Sequence, residues 1–168
     1  MAGSEDVKRR LRALGVAFNV IACDPALADT ATFCATYGVP LEDSANTIIV
    51  ASRSEPSCYA ACVLLATSRL DVNRTVRQRL GVRKASFAGP EETRTLTGME
   101  LGGVTAFGLP DDLPLWIDAR VMQRPRVVLG GGDRTCKIAV APAALLLLPG
   151  AEVVEGLAVA PPASDGQT

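Results

Sequence analysis

The sequence predicts an α+β fold with a mixed, curved sheet, and three observations carry that reading. Apolar, β-branched runs outnumber helix-like stretches. They come in hairpin-like order, as in Thr47–Ser52 and Tyr59–Thr67 on either side of the turn residues Arg53–Ser57. The regular strand–helix alternation of a doubly wound sheet is missing.

The elements follow in order. Ser4 opens a helix to about Leu14, with Glu5 and Asp6 in the first turn, where the helix dipole favours acids, and Gly15 at its end. Residues 17–22 read as a strand. Asp29 or Thr30 caps a helix through Tyr37, closed by Gly38 and Pro40. After the strand pair, Asp71 caps a helix carrying Val72, Val76 and Leu80 and stopped by Gly81. Residues 83–88 form a short strand, and Pro90 starts a helix over 91–96. A glycine-rich loop spans 98–108. Strands are expected over 115–118, 126–129 and 136–140, all sharing one sheet around a cleft, then a short helix over 143–148.

The 168 residues, 48% of them hydrophobic, suit one domain, expected over 1–160 and able to bury its own core without disulfides or metal. The polar residues 161–168 read as a disordered tail. The chain has no histidine, so a Ser-His-Asp triad, a Cys-His dyad and an HExxH zinc site are all excluded. The five cysteines are scattered without a CxxC, and Cys58 and Cys62 read as buried core thiols. No metal and no cofactor is expected. No apolar run reaches the ~18 residues of a membrane span, and the charged start lacks a signal core, so free thiols in a reducing cytoplasm are the expected setting. Gly130–Gly132 lacks the spacing and following helix of a dinucleotide fingerprint.

Several stretches, in order, resemble the YbaK/ProX family of aminoacyl-tRNA deacylases, trans-editing relatives of a domain inserted in bacterial prolyl-tRNA synthetases. Ala31…Ala35…Tyr37-Gly38-Val39 is similar to the helix before that family's first core strand, and Ser44–Val50 to its K-T-L-hydrophobic strand. Asp71-Val72-Asn73…Leu80–Lys84 resembles its D-L-K…L-G-A-K helix. Leu96–Gly108, reading LTGMELGGVTAFG, resembles its TGYxxGGVSPFG loop and is the specific part. Trp116-Ile117-Asp118 and Leu129–Gly132 fit its hydrophobic-D and V-G-G-G stretches. Two positions depart: Asn46 stands where the family has lysine, and Ala106 where the loop has proline.

The resemblance implies a small mixed barrel flanked by helices and hydrolysis of the ester that joins a small mischarged amino acid to tRNA. Its partners would be aminoacyl-tRNA and an aminoacyl-tRNA synthetase; the sequence does not specify an oligomeric state. The catalytic candidates are Asn46, Gly102, Gly103, Val104 and Thr105. Backbone N–H groups of such a loop can polarise an activated ester carbonyl without a side-chain base, and the substrate's ribose hydroxyl would assist. Thr47, Asp118, Gly131 and Gly132 are substrate-binding candidates. Asn46 is read equally as a solvated edge amide, Thr47 and Thr105 as structural hydroxyls, and Asp118 as a turn cap. Lys137, alternating with Ile138, is expected to face solvent.

With a net charge of −1, the chain is not basic throughout, but basic residues cluster between Arg69 and Lys84. There Arg74, Arg77, Arg79, Arg83 and Lys84 are candidates for tRNA phosphate contact, set against a solvated helix face. Only 4% of residues are aromatic, which leaves little for base stacking. Two rivals remain: a non-catalytic module that binds aminoacyl-tRNA or a similar ligand, and a phosphate-binding regulator built on Gly130–Gly132.

Overall fold

A computed structural model describes residues 3–160; the expected tail over 161–168 lies outside the described residues. Helix α1 (Ser4–Leu14) buries Val7 and Leu11, one turn apart on one face, and ends at Gly15 in the left-handed region. Strand β1 (Phe18–Ala22) leads through a turn to α2 (Thr30–Tyr37), whose Phe33 and Cys34 are buried. Strands β2 (Ala45–Ser52) and β3 (Tyr59–Leu65) form the long antiparallel pair.

The strands divide between two main sheets, so the expectation of a single sheet is corrected. One sheet has β5 (Ala85–Phe87), β2, β3, β6 (Leu115–Asp118) and β9 (Ala151–Val154) in spatial order. Its β3–β6 and β6–β9 pairings are parallel and the others antiparallel. The second has β1, β8 (Cys136–Val140) and β7 (Val127–Gly130), all antiparallel. A single parallel bridge, Ser44 to Val128, joins them. The split follows from chain chemistry: Gly130–Gly132 and the turn after it fold β8 back on β7, and β1 then takes the outer edge of β8.

Three apolar layers result. The main core lies between the sheets, where Ile49, Val63, Ile117, Leu129 and Ile138 meet α1 and Phe107. The outer face of the larger sheet (Val50, Cys62, Leu64, Trp116) is covered by Leu70, Val76 and Leu157. The outer face of the smaller sheet is covered by α2, with Phe33 on Val128 and Ala139. Both faces of β3 are therefore buried, which explains why its sequence is a continuous apolar run.

Four further expectations are corrected. The stretch after Asp71 is a wide turn, Val72–Val76, closed by an i→i+5 bond from Val76 N–H to the Asp71 carbonyl at 3.0 Å, with helix α3 only over Arg77–Leu80. The Asp71 carboxylate caps no backbone amide; it accepts from the Thr75 hydroxyl at 3.1 Å. Residues 142–147 form a tighter 3₁₀ turn. Cys58 is exposed in the turn after β2, while Cys62 is buried and its thiol is pushed up to about 12 by desolvation. Helix α4 (Pro90–Thr97) begins at the expected proline.

Three strands were not anticipated: β9, and the short β4 (Arg69–Leu70) and β10 (Ala158–Val159), which pair with each other antiparallel. Asp118 fastens that pair. It is 1% exposed, and its Oδ1 accepts the Ala158 N–H at 3.1 Å. Asp118→Ala should leave that buried amide unpaired and cost about 1–3 kcal/mol. Thermal unfolding should show it as a fall in Tm of about 2–4 °C for each kcal/mol lost. An unchanged Tm would mean that β10 is held by its ladder alone.

Candidate functional site

The site begins with an edge that has no strand on it. Ala66 N–H bonds the Ser44 carbonyl at 2.8 Å, and Ser52 N–H bonds the Cys58 carbonyl at 2.9 Å. Even-numbered residues of β2 thus exchange backbone bonds with β3, and odd-numbered residues turn theirs to the other edge. β5 covers that edge at Val50–Ser52, and Val128 touches it at Ser44. Between these points, around Thr47, the edge opens on a cleft of about 340 Å³. Helix α2, the 98–108 loop and the β7–β8 sheet supply the other walls.

Asn46 stands on this edge with its amide oriented. The Thr30 hydroxyl, at the first turn of α2, donates to Asn46 Oδ1 at 2.9 Å. Nδ2 makes no hydrogen bond among the described residues, so the amide presents itself as a donor. Thr47 also lines the cleft; it is 8% exposed, and its hydroxyl has no partner among the described residues. A buried hydroxyl without a partner is costly unless a ligand satisfies it.

The glycine loop is locked to the turn after β7. Gly132 N–H donates to the Gly103 carbonyl at 2.6 Å and Glu100 N–H to the Gly132 carbonyl at 3.3 Å. Gly102 sits at φ +87, and a Cβ at Gly103 would lie 2.3 Å from the Asp133 carbonyl oxygen. Gly102 is required by its left-handed backbone and Gly103 by this close approach. Arg134 bolts the assembly to the segment before α2: its Nε donates to the Pro25 carbonyl at 2.8 Å, and its Nη1 to the Leu101 carbonyl at 3.1 Å and to Asp29 at 3.2 Å.

Of the five catalytic candidates, Asn46, Gly102 and Val104 share the cleft wall. Gly103 and Thr105 do not. Gly103 N–H is spent on the Glu100 carbonyl at 2.9 Å; Thr105 is fully buried, with its N–H on Met99 Sδ at 3.4 Å. The N–H groups of Gly102 and Val104 make no hydrogen bond among the described residues. Thr47 is in the cleft and Asp118 is not, being buried under β10. Gly131 and Gly132 stand behind the wall: a Cβ on Gly131 would meet the Cys136 carbonyl oxygen at 2.6 Å. Gly130 is the member of the triplet that reaches the cleft.

The residue that the sequence misplaced is Lys137. It is 7% exposed, lines the cleft, and donates from Nζ to the Gly102 carbonyl at 2.8 Å. Its ammonium lies 5.6 Å from the centroid of the Phe33 ring. The expectation of a solvent-facing lysine assumed that one face of β8 is wet. In fact α2 covers that face and the main core covers the other, so all five residues of the strand are buried. Burial holds the Lys137 ammonium below the usual lysine range. The readable signal was a single charge inside an otherwise apolar strand.

The five basic candidates lie around α3 and share no residue with the cleft wall. Arg79 is engaged, paired with Glu152 at 2.6 Å and stacked 4.9 Å over Trp116; Arg77 Nε donates to the Asn73 carbonyl at 2.9 Å. Arg74, Arg83 and Lys84 are exposed. No helix among the described residues is long and apolar enough to cross a membrane, and no group of three potential metal-ligating side chains occurs there.

Comparison with known proteins adds three findings. The family model described as "Aminoacyl-tRNA editing domain" matches residues 24–148. "Uncharacterized protein YwhH" of Bacillus subtilis (strain 168) is 31% identical over 107 residues, which span 64% of this chain and 66% of that protein, just under two thirds of its length. Two solved structures superpose well. "Hypothetical protein APE2540" has a TM-score of 0.80 and 25% identity, over 90% of this chain and 98% of that one. "A putative trans-editing enzyme for prolyl tRNA synthetase" has a TM-score of 0.77 and 23% identity, over 90% and 94%.

Gly103→Ala should force the loop off the Asp133 backbone and break the Gly103–Gly132 bond. The expected cost is about 1–3 kcal/mol, seen as a lower urea midpoint at constant m. Gly3→Ala, whose Cβ would meet its nearest neighbour at an ordinary 3.7 Å, is the control. Equal midpoints would refute the close-approach argument.

Proposed function

This chain belongs to the aminoacyl-tRNA editing domain family, and from that premise we propose that it is a trans-editing deacylase that hydrolyses the ester of a small mischarged amino acid on tRNA. The observation that carries the reading is the meeting of Asn46 with Gly102 and Val104 across one cleft. Its volume of about 340 Å³ is at the small end of ligand sites, which run from about 300 Å³ upward. The likeness to a structure named for prolyl-tRNA synthetase supports proline-accepting tRNA as the first to try, and that synthetase as a candidate partner.

In this reading water adds to the ester carbonyl carbon, and negative charge grows on the carbonyl oxygen. The Val104 N–H and Asn46 Nδ2 donate to that oxygen. The bond to the ribose oxygen then breaks; one proton of the added water passes to the ribose oxygen and the other to solvent, and the amino acid leaves as a carboxylate. An aminoacyl ester is activated enough for donors and positioning to suffice, which suits a chain with no histidine. The basic residues around α3 would meet tRNA phosphates.

The deciding experiment sets the purified protein against a panel of mischarged tRNAs and follows loss of the ester. Turnover of at least one small residue is expected; tight binding with no turnover would favour the rival binding module. Asn46→Ala should lower kcat/KM by about 10–10²-fold, the worth of one buried hydrogen bond. Asn46→Lys should also lower it, because the longer stem fills the cleft.

The tRNA surface has its own test. Arg74, Arg77 and Arg83 replaced together by Gln should weaken binding and flatten the salt dependence by about 0.7–0.9 in slope per lost phosphate contact. An unchanged slope would assign these residues to solvent.

A further inference from the structure

Lys137 is a buried cation on the cleft wall. No carboxylate forms an ion pair with it among the described residues. Asp29, the carboxylate on the cleft wall, is already paired with Arg134 at 3.2 Å. An ammonium has three donors, and the Gly102 carbonyl takes one. Taking such a group out of water is costly unless a partner arrives. The remaining donors stand where the cleft meets the Gly102–Val104 backbone and its open N–H groups.

We infer that Lys137 is the cation of this cleft and that its ammonium, braced on the Gly102 carbonyl, receives the carbonyl oxygen of the bound acyl group. This rests on the deacylase reading for its chemistry. As water adds to the carbonyl carbon, the carbon–oxygen π pair moves onto that oxygen, and a full positive charge beside it stabilises it more than a neutral amide donor does. When the pair returns, the ribose oxygen leaves with one proton of the added water, the other passes to solvent, and the same ammonium faces the product carboxylate. Lys137 stays protonated throughout.

The groups facing Lys137 set its titration. Burial lowers its pKa, Arg134 acts in the same sense, and Cys23, Asp29 and Cys34 oppose. Because the ammonium is the working form, activity should fall as pH rises through a value below the ordinary lysine range. Uncatalysed ester hydrolysis is subtracted.

The test combines kinetics with a spectroscopic readout. Lys137→Met should lower kcat by about 10²–10³-fold, the cost of losing one oxyanion donor, with KM little changed and the alkaline limb removed. Lys137→Arg should keep part of kcat and lose the limb, since a guanidinium does not titrate there. The chain has only three lysines, Lys8, Lys84 and Lys137, so their side-chain NMR signals are separable, and Lys137→Met assigns the third. Adding an alanyl-adenosine analogue with a 3′-amide in place of the ester should shift the Lys137 signal and leave the other two.

Wild-type turnover with Lys137→Met equal to it in kcat and alkaline limb would overturn the inference and leave the deacylase reading standing. A shifted Lys137 signal with no turnover on any ester would retire the deacylase reading and keep Lys137 as the acyl oxygen's partner. An unmoved signal in the wild-type protein overturns the inference even if a variant fails to fold.

Discussion

The site exists because β2 is covered on one side and only partly on the other. β3 takes its full length, β5 takes residues 50–52, and β7 touches it once at Ser44. A strand edge with unclaimed backbone groups is normally a liability. Here it is recessed beneath α2 and the 98–108 loop, and it becomes the floor of the cleft. Thr30 on α2, Gly102 on the loop and Lys137 on β8 are placed by how each wall meets that floor.

The walls are held by backbone more than by side chains. Two strands of glycine-rich backbone, around 103 and 132, bond to each other with no room for a Cβ between them. Arg134 ties their outer end to the turn before α2, and Lys137 ties their inner end to β8. The loop is therefore fastened from both sides, and the amides of Gly102 and Val104 are held in place before any ligand arrives. Preorganised donors of this kind act without reorganisation.

Much of the fold was legible. The caps at Gly15, Gly38 and Gly81, the proline at 90 and the apolar runs of β2 and β3 each announce an element by local chemistry. What was not legible is tertiary. The division into two sheets depends on which strands pair, and β4 and β10, of two residues each, are too short to announce themselves. In the site, the glycine string around 102–104 and Asn46 were readable because they sit in long matched stretches. Lys137 offered only its lone charge in an apolar strand, since its place in the cleft comes from α2 folding over β8, and Arg134 offered nothing local, since its partners lie at Pro25, Asp29 and Leu101. Asp118 looked like a site residue and serves the β4–β10 pair, because a carboxylate at a strand end reads alike in either use.

The distribution of the cleft along the chain has a consequence for its assembly during synthesis. Thr30, Asn46, Gly102 and Lys137 are spread over most of the described length, and β1 pairs with β8 across a long intervening segment. Contacts between distant residues form slowly, because the loop between them must close first. A nascent chain can pair β2 with β3 early, but β1 waits for residues 136–140 to emerge before it has a neighbour. Lys137 arrives with β8. The floor of the cleft is thus laid down well before its final wall, and a truncated chain ending before β8 would carry Asn46 and the glycine loop with nothing to close over them.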